Sequence, residues 1–121
     1  MILGLGTVIY HVPDLNRATA WYASAFEAQP YFDEPFYVGF NIGGYELGLD
    51  PDPDTGKAGA DGGVTYWRTK QIADTLKHFI DCGAELKSDI ADVGGGIKVA
   101  IVADPFGNLI GLIENPQFQL V

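Results

Sequence analysis

Cysteine is scarce in this sequence. The 121-residue chain contains one cysteine, Cys82, so no disulfide can form within it. Cys82 lies in an apolar helical pattern just before Gly83, which favours a buried, inert thiol over a nucleophile. A chain of this length can bury a core large enough to fold without a disulfide or a structural metal. We therefore expect a single domain over residues 1–121 in a reducing, cytoplasmic environment.

Long apolar runs and basic residues are also scarce. No stretch approaches the roughly 18 consecutive apolar residues of a membrane-spanning helix, and the N-terminus lacks a basic region followed by an apolar run. Seven Lys and Arg against sixteen Asp and Glu give a net charge of −9, which repels phosphate backbones and anionic membranes. We expect neither nucleic acid nor membrane as a partner. The acidity fits a cationic ligand, and it equally fits a small protein that its charge keeps soluble.

Recognisable catalytic motifs are missing as well. The sequence contains no nucleophile elbow, no phosphate-binding loop and no paired cysteine motif. The two histidines, His11 and His78, have no partner at catalytic spacing, and both are expected at the surface. The run of glycines at residues 94–96 precedes a strand pattern rather than a helix, so it predicts a hairpin turn.

The sequence does contain a duplication. Residues 6–10 form a strand pattern that leads into a helical pattern, and residues 63–67 begin the same order again. Both copies close on a shared Gly-x-x-x-Gly-Leu frame, at residues 44–49 and 107–112. Each half therefore reads as a βαβββ unit. We place repeat one at about residues 2–51, a Gly- and Pro-rich linker at 52–62, and repeat two at about 63–116.

Three local motifs accompany the duplication: Val-Pro-Asp-Leu at residues 12–15, Trp-Tyr at 21–22, and Asp-Pro-Phe-Gly-Asn at 104–108. Together they resemble the vicinal oxygen chelate superfamily, which includes glyoxalase I, extradiol dioxygenases, fosfomycin-resistance enzymes and bleomycin-binding proteins. The resemblance covers nearly the whole chain. It implies an α+β fold in which two βαβββ repeats form a curved mixed sheet of half-barrels around a small-molecule cavity. It also implies a homodimer.

The enzymes of this superfamily hold a divalent metal on the first and last strands of each half. Carried over by pattern, those positions are Thr7, Val64, Gly48 and Gly111, and none of them is a usual metal ligand. If the assumed register is off by two residues, Glu46 supplies one carboxylate, which is still too few. We therefore expect no metal and no other cofactor.

Strand alternation predicts which side chains face the cavity. The resulting ligand-binding candidates are Thr7, Ile9, Glu46, Gly48, Val64, Tyr66, Arg68 and Gly111. Glu46 and Arg68 are charges on an apolar face, so they either orient a ligand or, in the case of Arg68, bridge strands or reach solvent. The two glycines are expected to leave space for a ligand. The same alternation predicts that Trp21 and Trp67 are core residues on the opposite, helix-facing layer.

Three functional interpretations follow from these residues. The first is a small-molecule-binding protein that takes up an amphipathic or cationic compound or metabolite without a metal. The second is a metal-dependent lyase or dioxygenase of the glyoxalase type, which would need donors that the pattern does not show. The third, a pure interaction module, requires side chains to fill the cavity and is disfavoured by the glycines.

Overall fold

The protein is described by a computed structural model that covers residues 1, 3, 5–61 and 63–116. Its chain divides into two compact units, residues 1–59 and 60–121, called half one and half two below and described separately. Each half contains one strand, one helix and three further strands in that order. The predicted βαβββ duplication is therefore confirmed. Within the described residues, no helix is long and apolar enough to cross a membrane.

The elements of half one are β1 (Thr7–His11), α1 (Leu15–Ala25), β2 (Pro30–Glu34), β3 (Tyr37–Ile42) and β4 (Tyr45–Asp50). Those of half two are β5 (Thr65–Arg68), α2 (Ile72–Asp81), β6 (Glu85–Asp92), β7 (Lys98–Ala103) and β8 (Leu109–Glu114).

Local hydrogen bonding and backbone conformation mark where α1 begins and where α2 ends. Asp14 caps α1, because its side chain accepts a hydrogen bond from the Arg17 N–H at 3.1 Å. Helix α2 gives way to Gly83, whose φ of 97° is favourable only for glycine, the residue that most often follows the end of a helix. The glycines at 94–96 all have positive φ and join β6 to β7, so the predicted hairpin turn is confirmed.

Each half forms an open, four-stranded mixed sheet. The strand order is β1-β4-β3-β2 in half one and β5-β8-β7-β6 in half two. The first strand of each half pairs in parallel with the last one, and the remaining pairs are antiparallel. This topology places the opening and closing strands of a repeat side by side, so residues far apart in sequence share one sheet face.

The core of half one lies between α1 and one face of its sheet. Leu47 and Leu49 on β4 are fully buried, whereas Glu46 before them and Asp50 after them point to the opposite face and stay partly exposed. Tyr22 of α1 is 0% exposed and stacks on Tyr10 of β1, with ring centroids 5.6 Å apart. In half two the same layer contains Ile72, Leu76, Phe79, Ala100, Val102, Ile110 and Leu112.

The two tryptophans are not core residues. Trp21 and Trp67 are both half-buried, so this prediction is wrong in degree. The strand parity behind it is correct, because Trp67 is less exposed than its neighbours Tyr66 and Arg68 on the other face of β5. Half-buried indoles are common because the large tryptophan side chain is rarely enclosed completely.

Candidate functional site

The face of the half-one sheet that points away from α1 brings four predicted site residues together. Thr7 of β1 lies opposite Glu46 of β4, and Ile9 lies opposite Gly48. The side chains of Thr7 and Ile9 are exposed, and that of Glu46 is half-buried. The predicted strand alternation is therefore correct for this face. The register differs from the pattern-based one, since Glu46 rather than Gly48 is the partner of Thr7.

Glu46 is the centre of a hydrogen-bonded cluster. Its Oε1 accepts from the Thr7 hydroxyl at 2.6 Å and from the Tyr37 hydroxyl at 2.7 Å, and its Oε2 accepts from the Tyr31 hydroxyl. Hydrogen bonds from Thr7, Tyr31 and Tyr37, in that order, hold the pKa of the Glu46 carboxyl below its usual range, because each donor favours the charged form. The cluster therefore stabilises a negative charge on a solvent-accessible sheet face.

Two members of this cluster, Tyr31 and Tyr37, were not predicted from the sequence. They reach Glu46 from β2 and β3, across 15 and 9 residues of chain. Strand alternation alone places Tyr37 on the face of β3 that carries Gly39. The bulge between Pro30 and Phe32 breaks that alternation in β2, so no sequence signal indicates where Tyr31 points.

The phenol of Tyr37 should ionise only at a higher pH than an ordinary tyrosine does. Burial, followed by the hydrogen bond to Glu46, raises the pKa of Tyr37 to about 12, because both effects favour the neutral phenol. Since the folded pKa is the higher one, the stabilisation is complete below the unfolded pKa of 10.0 and is lost as the pH rises through about 12. An absorbance titration of the native protein to about pH 11 should show fewer ionised tyrosines than an unfolded control. Tyr37→Phe should reduce the difference in ionised tyrosines between the native protein and the unfolded control. A wild-type titration curve that matches the unfolded control would contradict the assignment.

The two glycines do not leave the space expected of them. A side chain at Gly48 would collide with the ring of Tyr37, and one at Gly111 would lie 2.5 Å from Cδ1 of Tyr66. Each glycine is buried under a tyrosine from a neighbouring strand, and Tyr66 is the direct cross-strand partner of Gly111. The expectation that Gly48 and Gly111 open a ligand space is thus wrong. The missing Cβ atoms are used to seat aromatic rings on the sheet.

Half two carries the remaining predicted residues. Tyr66 and Arg68 are exposed on the same face of β5, and Val64 lies half-buried just before that strand. Tyr66 has 42% of its surface exposed although its ring covers Gly111. Glu46 and Arg68 belong to different halves, and their expected role in orienting a ligand stays a prediction.

His11 is half-buried, not a surface residue, and belongs to a polar cluster at the end of β4. Its Nε2 lies 3.2 Å from the Thr55 hydroxyl and 3.8 Å from Oδ2 of Asp50. Thr55 in turn donates to the same Asp50 oxygen at 2.8 Å. The ring also lies where a Cβ at Gly56 would be. These contacts attach Thr55 and Gly56, which belong to the predicted linker, to β1 and β4.

An open depression lies beside this cluster in half one, with a volume of about 540 Å³. It is lined by Phe32, Phe36, Tyr37, Asp50, Pro51 and Asp52. Only its Tyr37 wall is shared with the Glu46 cluster. No sequence pattern indicated this depression, because its lining residues come from β2, the start of β3, the end of β4 and the connections next to them.

The residues that the structure describes do not fit a divalent metal. Within residues 1, 3, 5–61 and 63–116, no three His, Cys, Asp or Glu side chains lie close enough together to hold an ion. Around Glu46 the neighbouring oxygens are hydroxyls that already donate to the carboxylate, and a neutral hydroxyl is a weak substitute for His or a second carboxylate. The cluster is therefore built to hold a carboxylate charge by O–H donors.

Comparison with known proteins places these features in context. Residues 4–112 match the family model of the Glyoxalase/Bleomycin resistance protein/Dioxygenase superfamily. The comparison with curated proteins found no match.

Solved structures share the fold. A glyoxalase-related enzyme from Fulvimarina pelagi has a TM-score of 0.80 at 17% identity, covering 99% of this chain and 94% of its own. A genomically encoded fosfomycin resistance protein from Listeria monocytogenes has a TM-score of 0.78 at 19% identity, with 97% of both chains covered. A lactoylglutathione lyase from Agrobacterium tumefaciens also has a TM-score of 0.78 at 19% identity, covering 98% of this chain and 100% of its own. At these identities the likeness concerns the fold alone.

Proposed function

The chain belongs to the glyoxalase, bleomycin resistance protein and dioxygenase superfamily, and we propose that it is a small-molecule-binding member that works without a metal. Its ligand is an amphipathic or cationic compound. The observation that carries this proposal is the Glu46 carboxylate, a negative charge held on an accessible sheet face by three hydroxyl donors. We also propose that the protein acts as a homodimer.

The charge of Glu46 supports a positively charged ligand. Three O–H donors keep the carboxylate ionised and oriented, and none of them neutralises it. Half one as a whole contains eight acidic residues against two basic ones, Arg17 and Lys57, in residues 1–59. A cation is therefore attracted to this half and can then add a charge-assisted hydrogen bond to Glu46.

Glu46→Gln should weaken binding of amphipathic amines by about tenfold, which corresponds to about 1.4 kcal/mol, while the fold is retained. The amide keeps the size of the side chain and removes its charge. A panel of such amines and matched neutral alcohols, screened by thermal shift and titrated by calorimetry, measures the effect. Glu85→Gln, on the exposed β6 strand of half two, is the control with the same change in net charge.

The same ligand titrations test the role of Arg68. Arg68→Met should also alter ligand binding if Arg68 contacts the ligand, and the double variant shows whether it acts together with Glu46. Equal binding of amines by the wild type and by Glu46→Gln would contradict the proposed site.

A metal-dependent lyase or dioxygenase of the glyoxalase type is the alternative. It requires three or so donors around one point, and the described residues do not provide them. Elemental analysis of the purified protein decides between the two. A stoichiometric divalent metal whose removal abolishes ligand binding would replace our proposal by the enzymatic one.

A further inference from the structure

We propose that the depression beside β4 binds an organic ammonium ion, with its alkyl or aryl groups against Phe32, Phe36 and Tyr37 and its positive charge toward Asp50 and Asp52. The proposal rests on the proposed function and names the ligand class and its location. It concerns residues of half one alone.

Exposed aromatic rings form the apolar wall of the depression. Phe36 is 67% exposed and Phe32 38%, although burial of a phenylalanine is normally favourable. The centroid of Phe32 lies 6.0 Å from that of Phe36 and 6.2 Å from that of Tyr37, with interplanar angles of 67° and 58°. Because the rings are inclined to one another, a group bound in the hollow can meet the face of one ring and the edge of another. Such an arrangement binds substituted ammonium groups through cation–π attraction.

Asp50 and Asp52 also line the depression, and hydrogen bonds within the chain hold their carboxylates in place. Asp50 accepts hydrogen bonds from the Asp52 N–H and from the Thr55 hydroxyl, both at 2.8 Å. Asp52 accepts one from the Asp54 N–H at 2.9 Å. These bonds orient both carboxylates and leave their charge in place, so a bound cation needs no rearrangement of these side chains.

Charge and shape together select the ligand class. The Asp50 and Asp52 carboxylates repel phosphates and carboxylic acids, and these two carboxylates are fewer than a simple metal ion needs to be held firmly. A volume of about 540 Å³ suits a small organic molecule. An ammonium ion with alkyl or aryl substituents complements both groups of lining residues, because its charge faces the carboxylates while its apolar groups cover the exposed rings.

Tyr37 belongs both to the depression and to the Glu46 cluster. Tyr37 lines the depression with its ring and donates its hydroxyl to Glu46. Glu46 and Asp50 lie on the same face of β4, four residues apart and thus separated by about 13 Å along the strand. A ligand longer than a simple ammonium ion can therefore contact both ends of this face.

Benzyltrimethylammonium is a suitable probe, with benzyl alcohol as the neutral and benzoate as the anionic comparison. We expect the cation to bind more tightly than the alcohol, benzoate not to bind, and added salt to weaken binding of the cation. Phe36→Leu should weaken it at least about threefold, because leucine keeps the apolar surface and removes the π face. Phe36→Trp should retain or strengthen binding. Titration calorimetry of the full chain measures all five results.

The role of the carboxylates is tested in the same titrations. Asp52→Asn preserves an acceptor for the Asp54 N–H and should weaken binding about threefold or more through loss of charge. Asp74→Asn, on the exposed surface of α2 in half two, removes the same charge and should have no effect. Equal affinity for benzoate, no binding of the cation, or insensitivity to both Phe36→Leu and Asp52→Asn would overturn the proposal.

These outcomes separate this inference from the function it rests on. If amines bind, respond to Glu46→Gln and ignore the variants at Phe36 and Asp52, the ligand site is the Glu46 cluster and the depression is not used. If amines bind nowhere on the protein, both proposals are wrong.

Discussion

Asp104→Ala should lower the free energy of unfolding by about 3 kcal/mol, because the carboxylate organises a whole turn from a buried position. Asp104 has only 4% of its surface exposed. Its Oδ1 accepts from the Phe106 and Asn108 N–H groups, and its Oδ2 accepts from the Asn108 side-chain amide, each at 2.8 Å. Alanine leaves these three donors without their acceptor at a site that water reaches poorly.

Chemical denaturation of the wild type and the variant measures this effect. Asp104→Asn keeps one acceptor oxygen but sets an amide against the Asn108 amide, so an intermediate loss is expected. Asp92→Ala is the control, since Asp92 also accepts from a turn N–H, that of Gly94 at 2.8 Å, but is exposed. It should cost less than about 1 kcal/mol. A loss below that value for Asp104→Ala would show that the turn does not depend on the carboxylate.

This turn also explains why the family resemblance could be recognised from the sequence. The Asp-Pro-Phe-Gly-Asn stretch is determined by its own short-range bonds, with Gly107 at a φ of 91° and the Asp104 N–H bonded to the Asn108 carbonyl at 2.9 Å. Local structure of this kind is encoded by neighbouring residues and can be recognised in a single sequence. The cap at Asp14 and the helix end at Gly83 were predictable for the same reason.

The bounds of strands β2 and β6 could not be predicted from the sequence. Four of the five residues of β2 and seven of the eight of β6 are exposed, so neither strand has the alternation of buried and exposed residues that marks a half-buried strand. Both also contain bulges against their partners. The repeat pattern predicted three strands after each helix, but nothing local predicted the bounds of these two.

The candidate site was predictable only in part. Alternation along β1 and β4 placed Thr7, Ile9 and Glu46 on the correct face, because each strand is regular and buried on its other side. Which residue faces Thr7 depends on the register of a parallel pair, which no hairpin turn fixes. The tyrosines that cover Gly48 and bond Glu46 arrive from other strands, and their position follows from tertiary pairing.

Tyr22→Ala and Phe79→Ala should each lower the free energy of unfolding by about 3 to 5 kcal/mol, and each should shift one and the same unfolding transition. Tyr22 is fully buried between α1 and its sheet, where it contacts the rings of Tyr10, Trp21 and Phe26. Phe79 occupies the matching layer of half two at 3% exposure. The two variants therefore disrupt one core each, in units of about 60 residues.

A single shared transition is expected because units of this size bury too little surface to be more than marginally stable alone. Thermal and denaturant unfolding, followed by tryptophan fluorescence and by circular dichroism, should coincide for the wild type and for both variants. Tyr22→Leu and Phe79→Leu provide milder losses if the alanine variants do not fold. Two resolved transitions, with Tyr22→Ala lowering one and Phe79→Ala the other, would mean that the halves fold independently. Residues 1–121 would then be two stable repeats, and a site in half one could be emptied or filled without a change in the stability of half two.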